Sequence, residues 1–211
     1  MTSLKLFGRN LSPYTRRVAI AMTLLDIPHE RDYLSVTTDP ARGLQINPVG
    51  RVPALQLSPD ETLIESAAIL DYLMELAGPK SLIPARGKAR RDCQRLMAIA
   101  SGVLDKAVGA VYEVRRRPAE KVHEPWRQHL LNQANGGLKA LEAAAAQIGP
   151  AHPWLLGEEF SLADITLAVT ISFLRVMQPD LLADGAYPHL EKLTNACEAM
   201  AAFKAHPVET P

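Results

Sequence analysis

The chain of 211 residues has no surplus of charge: 23 basic side chains stand against 23 acidic ones. A zero balance supplies no bulk electrostatic pull towards nucleic acid or an anionic membrane, and neither is expected as a partner. Cysteine is scarce too. Cys93 and Cys197 are the only two, far apart, both in helical contexts, with no CxxC and no Cys/His cluster. A disulfide framework, a zinc site and a thioredoxin-type dithiol are therefore unsupported, and no metal is expected. Both thiols read as inert and buried in a reducing cytosol. Long apolar runs are also missing: the stretch from Ile165 to Leu174 is interrupted by Thr166, Thr170 and Ser172 and is too short to cross a bilayer. No signal peptide is read, because a strand-like segment begins almost at once. No repeat or low-complexity tract stands out. The expectation is a soluble, cytoplasmic chain with enough length for one large domain or two small ones.

What is present divides near residue 80. Leu4-Lys5-Leu6-Phe7 alternates as a strand, and Val18 to Leu25 reads as a helix with one apolar face. Glu30 to Leu34 reads as a second strand, followed by a loop rich in Thr, Asp, Pro and Gly that ends in the turn cluster Asn47-Pro48-Val49-Gly50. Val52 to Leu57 and Thr62 to Ile64 give two short strands joined tightly. Ser66 then caps a helix whose Ile69, Leu73 and Leu76 share one face, and Gly78-Pro79 stops it. From about Lys88 no strand is convincing. Residues 89–117, 119–149, 161–178 and 187–203 read as helices separated by prolines, a pattern that packs as a bundle. The expected architecture is a small α/β domain over residues 1–80 and an all-helical domain over 88–211.

Three small constellations carry chemistry. Ser12 falls at a helix N-cap with Pro13 at the first helical position. A hydroxyl there stands beside unpaired N–H groups and the positive end of the helix dipole, a setting that favours anions, although an isolated Ser-Pro is ordinarily just a cap. Gly50-Arg51-Val52-Pro53-Ala54-Leu55 places a proline at a strand start. If that bond is cis, the Val52 N–H and C=O are free to dock an extended peptide; if trans, it is an ordinary strand start. Glu65-Ser66 opens the third helix, where a carboxylate, a hydroxyl and unpaired N–H groups can hold the ammonium and carboxylate of an amino acid, or simply cap. A fourth motif, Phe160-Ser161-Leu162-Ala163-Asp164-Ile165, fits a capping box with a hydrophobic staple, which puts Ser161 and Asp164 on the side of folding.

In this order the motifs resemble those of cytosolic glutathione S-transferases, specifically bacterial serine-type members close to the theta and zeta classes. The stretches that carry the likeness are Ser-Pro-Tyr-Thr-Arg-Arg-Val from Ser12, Asn47 to Leu55, Glu65 to Ile69 and Phe160 to Ile165. The resemblance implies a thioredoxin-like α/β first domain, an all-α helical bundle and a homodimer. It also implies glutathione as co-substrate and a role in detoxification. Val52-Pro53 would be cis, with the Val52 backbone, beside Arg51, pairing to the cysteinyl unit; Glu65 and Ser66 would hold the γ-glutamyl end. Ser12 would hydrogen-bond the sulfur, since Phe7 stands where tyrosine-type members carry the hydroxyl and cannot donate. A hydrophobic electrophile would meet Asn10, Leu11, Tyr14, Val108, Val111 and Tyr112. Arg16 and Arg17 read as a solvated or packing face, with one able to favour a thiolate. Two functions follow: a glutathione transferase, or a non-catalytic binding or regulatory protein on the same fold.

Overall fold

The structure, a computed structural model, describes residues 4–210. Its described residues up to Ile83, rejoined by those from Ala199 onward, form one unit, and Pro84–Glu198 form the other.

In the first unit β1 (Leu4–Phe7), α1 (Pro13–Leu24) and β2 (His29–Asp32) make a β-α-β turn in which β1 and β2 run parallel. A short helix, α2 (Pro40–Ile46), follows, then β3 (Ala54–Ser58), β4 (Glu61–Ile64) and α3 (Ser66–Ala77). The strands form one mixed sheet in the order β2-β1-β3-β4, with β3 antiparallel to both its neighbours. This is the thioredoxin-like arrangement expected. Two details differ. Residues 40–46, read as loop, are helical because Asp39 caps them by accepting from the Arg42 N–H at 3.1 Å and Pro40 supplies a preset first helical residue. Glu65, not Ser66, is the N-cap of α3: its own Oε1 accepts from the Ser66 N–H at 3.1 Å.

The helical unit holds α4 (Gly87–Arg115), α5 (Glu124–Ala145), α6 (Leu162–Met177) and α7 (Pro188–Glu198). Every residue of α6 from Leu162 to Leu174 is buried. Its threonines survive there because Thr166 and Thr170 donate back to the carbonyls of Leu162 and Thr166, both at 2.7 Å. Connections are closed by carboxylates. Glu113 accepts from Arg117 and from the His123 N–H at the α4–α5 junction, and Glu142 of α5 accepts from the N–H groups of His189 and Leu190 in the first turn of α7. The segment expected as one helix over 187–203 breaks after Glu198. The chain resumes as α8 (Ala201–Lys204) in the first unit, so the helical unit ends at Glu198 and not at the expected residue 211. The physical reason is packing: Ala202 and Phe203 are buried, and the Arg16 guanidinium lies 5.6 Å from the Phe203 ring centroid. Cys93 and Cys197 are buried free thiols, each pushed towards its neutral form by burial. Among the described residues no helix is long and apolar enough to cross a membrane.

Candidate active site

The register of the sheet assembles the site. Phe7, Ala54 and Ile64 stand in one row, paired strand to strand. The chain leaves β1 just after Phe7, enters β3 just before Ala54 and leaves β4 just after Ile64. The three segments singled out in the sequence therefore emerge at the same end of the sheet: the turn to Ser12, the Val52–Pro53 pair and Glu65-Ser66. Beneath them lies an apolar floor of Phe7, Leu34 and Ala54, against which Val36, Ile46, Val52 and Ile64 pack. Gly8 shows how closely the parts approach. Its φ is +126°, and a methyl placed on it would meet Thr15 Oγ1 at 2.4 Å and Val52 Cβ at 3.0 Å. Only glycine allows the first turn of α1 and the Val52 turn to flank the end of β1.

Ser12 is the N-cap of α1, with Pro13 at the first helical position. Its Oγ accepts from the Thr15 N–H at 3.3 Å. Accepting leaves the O–H as a donor, and no acceptor for it stands among the described residues. The side chain is half-buried, and the first turn of α1 carries no acidic residue to compete for an anion. The Val52–Pro53 bond is cis. The ladder with β1 and β4 begins at Ala54, so Val52 lies beyond it. The buried Asn47 holds the turn in front: its amide donates to the Arg51 carbonyl at 2.8 Å and accepts from the Val49 N–H at 2.9 Å. Arg51 itself is exposed.

Glu65 is exposed and has φ +70°, a conformation that costs a non-glycine residue roughly 1–2 kcal/mol. Outliers of this sort collect at ligand sites. Ser66 is fully buried, and its Oγ accepts from the Arg17 guanidinium at 2.6 Å. That bond ties α1 to the start of α3. Arg17 also lies over the Tyr14 ring, 5.6 Å from its centroid. The Arg16–Arg17 pair is thus not a solvated face: both are buried, Arg16 donating to the His206 carbonyl at 2.7 Å. Charge in a sequence predicts exposure, and only long-range partners overturn that prediction.

The expected second-substrate residues are divided between the two units. Leu11 and Tyr14 are half-buried beside Ser12. Asn10 is buried, and its side-chain oxygen accepts from Arg31 at 2.9 Å, so it braces the turn. Val108, Val111 and Tyr112 lie on α4 in the helical unit, where Val111 is buried and Tyr112 carries Arg116 over its ring. Ser161 and Asp164 form the expected capping box at the start of α6. Asp164 is fully buried and accepts from Ser161 N–H at 2.9 Å, Ser161 Oγ at 2.7 Å and Leu155 N–H at 2.9 Å. Burial raises its carboxyl above the usual range despite these donors. Among the described residues no cluster of His, Cys, Asp and Glu could hold a metal ion.

Comparison with known proteins converges on one family. Residues 6–81 match the model described as "Glutathione S-transferase, N-terminal domain", and residues 124–194 match its C-terminal counterpart. The chain is 30% identical to the maleylacetoacetate isomerase of Pseudomonas aeruginosa, over 97% of this chain and 95% of that protein. Two solved structures share its fold. A glutathione S-transferase of Methylobacterium radiotolerans in complex with glutathione sulfonate has a TM-score of 0.90 at 25% identity, covering 100% of this chain and 96% of that one. A glutathione S-transferase of Methylobacillus flagellatus with glutathione bound has a TM-score of 0.88 at 31% identity, covering 97% and 98%.

Proposed function

Since the chain belongs to the glutathione S-transferase family, we propose that it binds glutathione across the open end of its sheet and activates the thiol through Ser12 for attack on a hydrophobic electrophile. The observation that carries this reading is the convergence of Ser12, Val52–Pro53 and Glu65-Ser66 on one row of the sheet. From Phe7 to Ile64 the row crosses two strand spacings, about 10 Å, which is the reach of an extended tripeptide, ~10 Å. The cysteinyl unit pairs with the Val52 backbone as an added strand, and the γ-glutamyl ammonium meets Glu65. Its carboxylate meets the start of α3, where Arg17 holds the Ser66 hydroxyl in place.

Placed this way, the sulfur lies at Ser12. A free thiol has a pKa of about 8.5, so roughly 3% is thiolate at pH 7. Making thiolate the majority needs about 2.7 kcal/mol of differential stabilisation. A hydrogen bond from the Ser12 O–H to the charged sulfur supplies ~1.5–3 kcal/mol and the dipole of α1 ~0.3–1 kcal/mol more. Ser12 donates and does not attack; glutathione is the nucleophile, and holding the electrophile beside it, at Leu11 and Tyr14, supplies the remaining rate. A non-catalytic binding role is not favoured, because glutathione capture alone has no use for an uncommitted hydroxyl at that place. The cytoplasm is the proposed site of action and a homodimer the proposed form, supported by the exposed apolar Leu44 and Val49 on the first unit.

A second reading of the same thiolate is glutathione-dependent isomerisation, favoured by the likeness to maleylacetoacetate isomerases. The thiolate adds to a carbon–carbon double bond, the adduct rotates, and elimination returns the thiolate. Retention on immobilised glutathione, then turnover of activated aryl halides, peroxides and cis-unsaturated diacids, tests and separates the two. Retention with turnover is expected. A protein that does not bind glutathione overturns both readings.

A further inference from the structure

The segment after Ala199 straps the turn that carries Ser12. His206, buried, is its pivot. Its Nδ1 faces Arg31 Nη1 at 3.2 Å, and a guanidinium can only donate, so Nδ1 is the acceptor. Nε2 then carries the hydrogen and donates to Thr23 Oγ1 of α1 at 2.8 Å. Beyond it, the Glu209 carboxylate takes the Asn10 N–H on Oε1 at 2.8 Å and the Arg9 guanidinium on Oε2. From the other side Arg31 Nη2 donates to the Gly8 carbonyl at 3.0 Å and to Asn10 Oδ1 at 2.9 Å. Gly8, Arg9 and Asn10 are each gripped by a group remote in sequence, and the Ser12 N–H closes the turn on the Arg9 carbonyl at 3.1 Å. Neither β1 nor α1 supplies this grip.

We propose that Glu209 is a positioning residue for Ser12: by holding Arg9 and Asn10 it fixes the turn that aims the Ser12 hydroxyl. The proposal deepens the reading above and rests on Ser12 donating to the glutathione sulfur. A hydroxyl–sulfur bond weakens steeply as its angle opens, and a surface turn without a second anchor moves more than the elements it joins. The effect is geometric. Arg9 neutralises the Glu209 charge, so what matters is an acceptor on the Asn10 N–H. Glu209→Gln keeps such an acceptor and Glu209→Ala removes it.

The test is the ionisation of the glutathione thiol on the full-length protein, read from the ultraviolet absorbance of the thiolate against pH, with glutathione affinity measured by calorimetry and thermal midpoints in parallel. Ser12→Ala should shift the ionisation constant of the bound thiol more than about tenfold. Glu209→Ala should shift it by about threefold, equivalent to a partly weakened hydrogen bond, with glutathione affinity held within about twofold. Glu209→Gln should restore the wild-type titration. Arg9→Ala removes the other half of the grip and should shift the titration in the same direction by less, which keeps the test open if Glu209→Ala folds poorly. If Ser12→Ala shifts the titration while Glu209→Ala and Arg9→Ala titrate like wild type, the proposal is overturned and Glu209 only secures the tail. If the wild-type protein leaves the thiol at its free value, the role of Ser12 fails first and takes this inference with it.

Discussion

Two helices of this molecule begin at a serine N-cap, and the two serines meet different surroundings. At the start of α6, Ser161 is buried, accepts from the Ala163 N–H at 3.3 Å and donates to Asp164 at 2.7 Å. Both faces of its hydroxyl are used. At the start of α1, Ser12 is half-buried and accepts from the Thr15 N–H at 3.3 Å, and among the described residues nothing takes its hydrogen. The residue type and the position are the same; the difference is whether a carboxylate stands at the third helical position. Asp164 closes one cap, while Thr15 leaves the other open. A closed cap holds a fold together, and an open one at the sheet end where Val52–Pro53 and Glu65-Ser66 also emerge has a donor to offer an anion. The same residue type is thus committed to the fold in one unit and, in the proposed function, free for chemistry in the other.

Breaking the closed cap should have the largest effect. Asp164→Ala strips the acceptor from the two buried donors of Ser161 and from the half-buried Leu155 N–H at once, so unfolding free energy should fall by more than about 3 kcal/mol. Turnover per folded molecule should stay near wild type, checked by denaturant unfolding alongside active-site-normalised kinetics. Lost turnover with an unchanged midpoint would make Asp164 a chemical residue and erase the contrast. In the unit that carries the open cap, His206 holds Thr23 of α1 and Arg31 of β2; burial lowers its pKa to about 4, with Arg31, His29 and Arg16 adding to the effect. The unfolded value is about 6.5, so the unfolded chain binds the extra proton between those two pH values and stability falls as pH drops from about 6.5 to 4. Replacing the ring by His206→Gln should flatten that part of the curve by roughly 2–3 kcal/mol at pH 4, measured as the difference from wild type across a pH series of unfolding curves. Parallel curves would show that His206 takes up its proton as readily in the fold as in the unfolded chain. The smallest effect falls on the third cap. Glu65 is exposed, so Glu65→Gln should weaken glutathione binding only about three- to tenfold. An analogue lacking the γ-glutamyl amino group should bind both proteins alike. If calorimetry shows glutathione itself binding the variant and wild type equally, Glu65 is a cap and nothing more.

Local chemistry was legible. Ser12-Pro13, Ser161 with Asp164 and Gly78-Pro79 each signal through residues a few positions apart, and the structure places them as the sequence suggests; the strand read from Val52 begins instead at Ala54. The alternation of elements over residues 4–77 was legible for the same reason. The helix at 40–46 was missed although Asp39-Pro40 is a helix start, because Gly43 and the threonines before it read as loop. The choice between a solvated and a packing face for Arg16 and Arg17 was not readable, since it depends on Ser66, His206 and Phe203. Nor was the break after Glu198, where no Gly or Pro interrupts the run to Phe203. The bond from Glu209 to Asn10 spans 199 positions, and no periodicity or spacing announces it. Asn47 was legible as a turn residue, but its double grip on Val49 and Arg51 needed the fold.

In the proposed function the uncommitted hydroxyl of Ser12 activates glutathione. Its most direct test is turnover of Ser12→Ala with glutathione saturating, normalised to folded, glutathione-binding protein. Loss of a hydrogen bond to a charged sulfur predicts a fall of about ten- to a hundredfold at neutral pH, with glutathione affinity nearly unchanged and most of the loss recovered at a pH where the thiol ionises unaided. Turnover equal to wild type at neutral pH would contradict the account, because Ser12 would then be a second closed cap in all but appearance.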